Sequence, residues 1–313
     1  MKNTTQLSPH FFIKPEVNQA LQNNLPIVAL ESTVITHGLP YPENIQLAAG
    51  LEADVQSNHA TPATIAILNG KIHIGLTGTE LETLASSGQG LRKISRRDFG
   101  IAIARRESGG TTVAGTLIAA HAAGIRVFAT GGIGGVHRNA PFDISADLPE
   151  LGRTPLIVVC AGAKSILDLP ATIEYLETVG VAVIGYQTDE FPAFYSRKSG
   201  LPVNVSVQTP LEVANIARAQ WDLGIHSAIL VVAPPPEDKA LQHEEIDSII
   251  EQALIEARQK KISGYATTPF LLARISELSG GKSMQTNLAL LHNNASIAAQ
   301  IAAQFSPQDA SLI

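Results

Sequence analysis

The residue with the clearest chemical potential in this 313-residue chain is a lysine that follows an apolar run. Residues 156–160 read LIVVC, a run typical of a buried parallel strand, and Lys164 follows after Ala-Gly-Ala. Open α/β sheets bind ligands just beyond the carboxyl ends of such strands. A lysine desolvated in that crevice can present a neutral amine, which attacks an electrophilic sugar or carbonyl carbon. The alternative is an exposed loop lysine whose ammonium reaches into water.

A carboxylate occupies the corresponding place after the first predicted strand. Residues 26–30 read PIVAL, and Glu31 comes next. An apolar wall at this position would raise the pKa of the carboxyl group and suit it to general acid catalysis. A helix cap or an ion pair with an arginine would explain the same residue without catalysis.

Two further segments could approach a phosphate group. Residues 107–112, ESGGTT, precede a predicted helix whose free backbone N–H groups could bind an anion, although ordinary N-capping by Ser108, Thr111 or Thr112 explains them equally. Residues 130–138, TGGIGGVHR, form a glycine-rich loop. Neither this loop nor residues 280–283 completes a dinucleotide or P-loop motif, so neither NAD nor P-loop ATP chemistry is predicted.

Two carboxylates flank a serine after the glycine-rich loop, in the segment FDISADL. Asp143 and Asp147 suit a hard divalent cation that keeps several waters and prefers oxygen ligands. A capping box for a short helix is the alternative for the same pattern.

The composition excludes several classes of protein. The chain has 22 Lys and Arg against 28 Asp and Glu, a net charge of −6, so it lacks the basic surface that binds a nucleic acid or an anionic membrane. The single cysteine, Cys160, excludes an internal disulfide and a cysteine zinc cluster. Since the N-terminus lacks the apolar region of a secretory signal and no run of about 18 apolar residues occurs, we expect a cytoplasmic protein.

Short β-branched runs alternate with alanine-rich and leucine-rich segments, a pattern typical of βα units. Strands are predicted near 26–30, 64–68, 99–104, 125–130, 156–160, 181–185 and 227–233. Helices are predicted near 43–57, 78–87, 112–123, 167–179 and 209–223, followed by a helical C-terminal layer near 243–261, 268–279 and 284–304. This pattern predicts an α/β fold around a mostly parallel sheet, and no linker divides the chain into independent domains.

Together these segments resemble the pseudouridine-5'-phosphate glycosidases, an indigoidine synthase A-like family, over nearly the whole chain beyond residue 20. The matching segments are ALESTVITHG, ESGGTTVAGT, TGGIGGVHR, FDISADL, CAGAKSILD and TPFLLARI. The resemblance implies reversible cleavage of the C–C glycosidic bond of pseudouridine 5'-phosphate to uracil and ribose 5-phosphate. It also implies a three-layer α/β/α fold, a single domain at 21–313 after an N-terminal extension at 1–20, one Mn²⁺ ion per subunit and a homotrimer.

The resemblance also implies roles for individual residues. Lys164 becomes the nucleophile that attacks C1′ and gives a ring-opened sugar adduct, Glu31 becomes the proton donor, and Asp143 takes the metal position. The implied substrate contacts are Lys93, Val113, Ser145, Ala146, Asp147, Thr130, His137 and Asn287. Such chemistry suits a C–C glycoside, which has no leaving oxygen to protonate, because an amine that opens the ribose creates an iminium electron sink.

Two other functions fit the same residues. A class I aldolase or related lysine-imine enzyme on sugar phosphates would use the same nucleophile, and a non-catalytic nucleotide-binding protein would use the pocket without turnover. Some family members are fused to a sugar-kinase-like domain, for which this chain is too short, so we expect a separate pseudouridine kinase to supply the substrate. A pigment-related pathway role stays open.

Overall fold

The computed structural model describes residues 7–87, 90–138, 140–262 and 267–305. Residues 1–6 of the predicted extension and 306–313 of the predicted domain lie outside the described residues. The strands are β1 (Phe11–Ile13), β2 (Ile27–Leu30), β3 (Thr61–Leu68), β4 (Lys71–Ile74), β5 (Arg92–Ile94), β6 (Gly109–Thr111), β7 (Val127–Ala129), β8 (Val136–His137), β9 (Ala140–Ile144), β10 (Ile157–Cys160), β11 (Leu167–Asp168), β12 (Ala182–Tyr186), β13 (Val205–Val207) and β14 (Ile229–Val232).

Helices connect most of these strands and dominate the C-terminal part of the chain. They are α1 (Pro15–Gln22), α2 (Glu43–Ser57), α3 (Gly78–Ser86), α4 (Phe99–Ala104), α5 (Val113–Ala122), α6 (Asp147–Leu151), α7 (Leu169–Thr178), α8 (Pro210–Asp222), α9 (His243–Gln259), α10 (Thr267–Leu278) and α11 (Lys282–Ala302). Local sequence fixes several of their starts. In α8, for example, the Thr209 hydroxyl and the Glu212 carboxylate form a reciprocal capping box.

The main sheet has the strand order β1-β4-β3-β2-β7-β10-β14-β12-β13, with β6 pairing to β3 and β5 to β6. The neighbours from β2 to β13 are all parallel, whereas β3 runs antiparallel to β4 and β6. The central strands β2, β10 and β14 are buried along their whole length. Continuous apolar sequence is expected for parallel strands covered on both faces.

Helices cover the sheet in two layers. Helix α11 packs across β2, β7 and β10, with α2 and α8 beside it. Helix α5 packs against β2, β3 and β7, with α6 beside it. The predicted α/β/α fold with a mostly parallel sheet and a helical C-terminal layer is therefore confirmed. Within the described ranges, no helix combines the length and apolar character needed to cross a bilayer.

The prediction of a strand at 99–104 is wrong, because this segment forms helix α4. A short 3₁₀ turn at Arg96–Asp98 leads into the helix, and the Asp98 carboxylate accepts a hydrogen bond from the Ser95 N–H at 3.1 Å. The strand that enters the sheet here is β6, which follows the helix. An apolar run as short as FGIAIA has no period that separates a strand from a helix.

The N-terminal segment contributes to the sheet. Strand β1 pairs in parallel with β4, and helix α1 buries Val17 and Ala20 against β2 and β3. Strands β3 and β4 form a hairpin whose turn residues, Asn69 and Gly70, both have positive φ, at 49° and 76°. The described part of the predicted extension thus packs with the sheet.

A second, small antiparallel sheet follows the glycine-rich loop. Its order is β11-β8-β9, and it pairs Leu167 with His137 and Asp168 with Val136. This pairing fixes the chain that leaves β10, and therefore the loop that carries Lys164, against the end of the glycine-rich loop.

Candidate active site

Three neighbouring parallel strands deliver polar residues to one edge of the main sheet. Glu31 follows β2, Thr130 follows β7, and the loop bearing Lys164 follows β10. Since β7 lies between β2 and β10, the side chain of Thr130 stands between the other two positions. Its hydroxyl donates a hydrogen bond to Glu31 Oε1. The carboxyl edge of a parallel sheet is where such folds place chemistry.

The backbone on both sides of Lys164 is hydrogen-bonded. The Lys164 N–H donates to the carbonyl oxygen of Ile133 at 3.0 Å, and the Leu167 N–H donates to the Lys164 carbonyl oxygen at 3.0 Å. Ala163 forms a parallel bridge with Ile133 in the glycine-rich loop. The side chain of Lys164 is half-buried, and its charge acts on both Glu31 and Lys93. The structure therefore places this lysine inside the cluster and not on an exposed loop.

Glu31 has an environment that favours the protonated carboxyl group. Burial raises its pKa above the ordinary 4.5, while the nearby Lys164 and the hydrogen bond from Thr130 lower it by less. Asp147 adds a repulsive negative charge, and Lys93 an attractive positive one. A carboxyl group that keeps its proton to higher pH than usual can act as a general acid.

Lys93 reaches the same cluster from strand β5, outside the central strands. Burial lowers the pKa of its ammonium below 10.5, and repulsion from Lys164 lowers it further, while Asp147 and Glu31 offset part of this shift. Two lysines and two carboxylates thus interact at one edge of the sheet. Because β5 is attached to the sheet through β6, Lys93 depends on that short glycine-containing strand for its position.

Asp147 ties two parts of the site together. Its Oδ1 accepts from the Ala114 N–H at 2.9 Å, at the start of α5, and its Oδ2 accepts from the Gly134 N–H at 2.8 Å. Ser145 Oγ in turn accepts from the Asp147 N–H at 3.2 Å. Helix α6 begins at Asp147, but its N-cap residue, Ala146, makes no side-chain capping bond. The Asp147 carboxylate therefore holds the glycine-rich loop against α5 and does not cap its own helix.

The N-terminus of α5 is capped by the protein itself. Thr112 Oγ1 accepts from the Gly115 N–H at 3.2 Å, so the N-capping interpretation of residues 107–112 describes what the structure contains. Val113, the first residue of α5, is buried. Glu107 forms ion pairs with Arg92 and Arg105.

His137 and Asp143 lie together in the small antiparallel sheet, and Asp143 is largely exposed. The His137 Nδ1 atom lies 3.4 Å from Asp143 Oδ2 and 3.0 Å from the Asp143 backbone oxygen. Two thirds of the Asp143 side chain, 67%, is exposed. Within the described part of the chain, no three His, Cys, Asp or Glu side chains form a metal-binding group. One exposed carboxylate fits a hydrated divalent cation that keeps most of its waters, and does not fit a zinc site with several protein ligands.

Helix α11 supplies the remaining predicted residue and one that sequence reasoning missed. Asn287 is partly buried, and Asn294 lies two turns later on the same helix face. Asn294 is fully buried, and its Nδ2 donates to the Thr130 carbonyl oxygen at 2.9 Å. A buried amide in an apolar helix segment was the signal that could have indicated this contact.

His37 is a second residue that was not predicted. It lies in a π-helical turn, Val34–Gly38, and its Nδ1 is 2.7 Å from Thr36 Oγ1. Burial lowers the pKa of the imidazole, and the charge of Lys93 lowers it further, so His37 belongs to the electrostatic surroundings of the cluster. Single π-helical turns occur frequently at functional sites.

Comparison with known proteins decides the family. The model of the family described as indigoidine synthase A like protein matches residues 16–304. The chain belongs to this family. A Petrotoga mobilis relative named pseudouridine-5'-phosphate glycosidase is 52% identical over 306 residues, covering 97% of this chain and 99% of the relative. A Geobacillus kaustophilus protein with the same name is 55% identical over 293 residues, covering 93% and 97%.

A solved structure supports the fold and adds a ligand class. The crystal structure of the prealnumycin C-glycosynthase AlnA in complex with ribulose 5-phosphate matches with a TM-score of 0.89 and 38% sequence identity. The match covers 97% of this chain and 99% of that chain. That protein, by its name, handles a carbon–carbon glycosidic bond.

Proposed function

We propose that this protein is a pseudouridine-5'-phosphate glycosidase, which cleaves pseudouridine 5'-phosphate to uracil and ribose 5-phosphate. The observation that carries the proposal is the placement of Glu31, Thr130 and Lys164 after three adjacent parallel strands. This arrangement places a carboxyl group whose pKa is raised by burial in the same cluster as the Lys164 side chain. The shared name of relatives that are about half identical over nearly the full chain supports the same substrate.

The proposed reaction uses the Lys164 nitrogen as the nucleophile and needs one proton donor. The Lys164 nitrogen forms a bond to C1′ while the C1′–O4′ bond breaks, and O4′ takes up a proton as the ribose ring opens. The nitrogen lone pair then expels the base: the electron pair of the C1′–C5 bond passes to uracil C5, which is protonated, and a C1′=N iminium remains. Water hydrolyses the iminium, which releases ribose 5-phosphate and restores the amine.

Glu31 is the proton donor to uracil C5 in this proposal. The raised pKa of its carboxyl group lets it keep its proton to higher pH than an ordinary glutamate, and the Thr130 hydroxyl holds the carboxyl group in place. Lys93 supplies a second positive charge for the anionic substrate. We assign the other predicted contacts, Val113, Ser145, Ala146, Asp147, His137 and Asn287, to the surrounding pocket.

Asp143 would hold a divalent cation, with Mn²⁺ as the expected ion. Its exposed carboxylate leaves room for a hydrated ion beside His137. When bound, the ion supplies positive charge for the substrate. We further propose a cytoplasmic homotrimer that receives its phosphorylated substrate from a separate pseudouridine kinase.

The test is a product assay with a matched pair of variants. Purified protein, Mn²⁺ and pseudouridine 5'-phosphate are mixed, and uracil and ribose 5-phosphate are followed by chromatography. We expect both products from the wild type and from Lys71→Ala, which removes an exposed lysine of β4, and neither from Lys164→Ala. Product release by Lys164→Ala would refute the nucleophile assignment.

The same protein samples separate the other candidate functions. Borohydride would trap a sugar adduct on the lysine of an aldolase-like enzyme as well, but such an enzyme would release no uracil. A pure binding protein would bind pseudouridine 5'-phosphate equally well before and after Lys164→Ala and would form no product. Uracil release by the wild type, lost in Lys164→Ala while binding is retained, identifies the glycosidase.

A further inference from the structure

Arg138 joins the Lys164 loop to the C-terminal helical layer. Its Nε donates to the Leu167 carbonyl oxygen at 3.2 Å, and its Nη2 donates to the Ser165 carbonyl oxygen at 3.1 Å. On its other side, the guanidinium contacts Asp247 Oδ1 at 3.1 Å and Glu251 Oε1 at 2.7 Å. One side chain therefore connects two carbonyl oxygens of the loop to two carboxylates of helix α9.

The geometry requires an arginine. Asp247 and Glu251 are four residues apart, so they share one face of α9 and present their carboxylates to the same point. A guanidinium carries five N–H donors in a rigid planar fork, which can bond acceptors in two directions at once. A lysine ammonium would keep the charge but could not reproduce the fork. Only 22% of the Arg138 side chain is exposed.

The two loop carbonyl oxygens belong to Ser165 and Leu167, one and three residues after Lys164. The Lys164 N–H and carbonyl oxygen are already bonded to Ile133 and Leu167. Arg138 adds bonds to Ser165 and Leu167, so it fixes the next part of the same turn. The carboxylates of Asp247 and Glu251 on α9 hold the guanidinium of Arg138, so the position of the Lys164 loop depends on helix α9.

We infer that Arg138 is a positioning residue, which holds the Lys164 loop so that the amine faces C1′ of the bound substrate. The inference rests on the proposed function of Lys164. It assigns no chemical step to Arg138, whose contacts are with backbone oxygens and with α9. It predicts that Arg138 affects the rate of attack and leaves substrate affinity nearly unchanged.

The expected effect is large for a residue that does not touch the substrate. A displacement of a catalytic group by about 1 Å can lower the rate about 100-fold. We expect Arg138→Met to slow adduct formation by about 10-fold to 100-fold, with less than about a threefold change in the dissociation constant of ribose 5-phosphate. Arg138→Lys keeps the positive charge and loses the fork, so its rate should fall between those of Arg138→Met and the wild type.

Arg274 provides a matched control. Its guanidinium bonds Glu256 on α9 at 2.7 and 2.9 Å and Glu277 on α10 at 2.7 Å, and 29% of its side chain is exposed. Like Arg138, it fastens α9 to another segment through carboxylates, but its hydrogen bonds join helix to helix. Arg274→Met should therefore lower stability to a similar extent without slowing the attack.

The first readout is the rate at which cyanoborohydride traps ribose 5-phosphate on Lys164, followed by mass spectrometry over a range of sugar concentrations. The expected result is a lower saturating rate for Arg138→Met, an intermediate rate for Arg138→Lys and a wild-type rate for Arg274→Met. A wild-type saturating rate for either Arg138 variant would overturn the positioning role. If Arg138→Met does not fold, Arg138→Lys and the double variant Asp247→Asn/Glu251→Gln decide by the same criterion.

The second readout does not depend on chemistry. Hydrogen exchange of the peptide that contains Lys164 and Leu167 should be faster in Arg138→Met than in Arg274→Met and the wild type, because both amides sit in the fixed turn. Unchanged exchange would refute the attachment itself. If the wild type traps no sugar although exchange responds to Arg138→Met, the proposed function fails while the attachment stands.

Discussion

Replacing Thr130 by valine tests whether Glu31 works as an acid. Valine has nearly the shape of threonine but no hydroxyl, so the hydrogen bond to Glu31 Oε1 is lost. The bond from Asn294 to the Thr130 backbone oxygen is unaffected, because it does not involve the side chain. The change therefore removes one stabilising contact of the carboxylate and leaves the ends of the strands in place.

The magnitude follows from that one contact. A hydrogen bond to a charged group contributes about 1.5 to 3 kcal/mol, and we take the lower end because Glu31 is only partly buried. Since one pKa unit corresponds to about 1.36 kcal/mol, the loss of this hydrogen bond shifts the pKa of Glu31 by about one unit. The hydrogen bond lowers the pKa of Glu31, so its removal raises that pKa. An acid with a higher pKa keeps its proton to higher pH, and activity should persist about one unit further on the alkaline side.

The assay is the pH dependence of kcat for uracil release, measured in wild type, Thr130→Val and Thr116→Val. Thr116 is also fully buried, and its hydroxyl lies 2.9 Å from that of Thr111. Removing the Thr116 hydroxyl should lower stability without shifting the pH at which kcat falls on the alkaline side. An alkaline limb that stays in place in Thr130→Val, or moves to lower pH, would show that Glu31 does not donate the proton.

Three further outcomes are expected. Because burial raises the pKa of Glu31 above 4.5, this carboxyl group loses its proton at lower pH in the unfolded chain than in the folded protein, so rising pH lowers stability. Glu31→Gln removes this effect, and calorimetry should show a higher melting temperature than the wild type at about pH 8 and no difference at about pH 4. Leu117→Ala removes a fully buried side chain of α5 and should lower the free energy of unfolding in urea by about 3 kcal/mol; a loss well below 1 kcal/mol would contradict the packing of α5 on the sheet. Asp143→Asn should raise the Mn²⁺ concentration for half-maximal activity about tenfold, and an unchanged titration after chelation and refilling would remove Asp143 from the metal site.

Much of the fold could be predicted because its central strands carry a strong signal. The runs that became β2, β10 and β14 are apolar throughout, as is typical of strands buried on both faces of a parallel sheet. The short segment 99–104 carried the same signal and formed a helix, which the Ser95 and Asp98 capping pair could have indicated. The β3–β4 hairpin also had a readable turn, Asn69-Gly70, which favours two positive φ angles.

Those residues of the candidate site that follow a strand could be predicted from the sequence. Glu31 and Lys164 were found in this way, and the structure brings them into one cluster. Lys93 was assigned through family resemblance alone, since its strand β5 is too short to give a pattern. Arg138 and Asn294 act through contacts with residues far along the chain, at separations of more than 100 residues to Asp247 and Thr130, and no local pattern encodes such contacts.

Helix α11 covers the face of the strands that end at Glu31, Thr130 and the Lys164 loop. These strands leave the ribosome before residues 282–302 are synthesised. Until then, α11 does not cover their apolar face. Asn294 reaches the Thr130 carbonyl oxygen only when this helix docks. Until α11 has been synthesised, the cluster around Glu31 therefore lacks this contact, and a chaperone that binds exposed apolar surface can bind the uncovered face of the sheet.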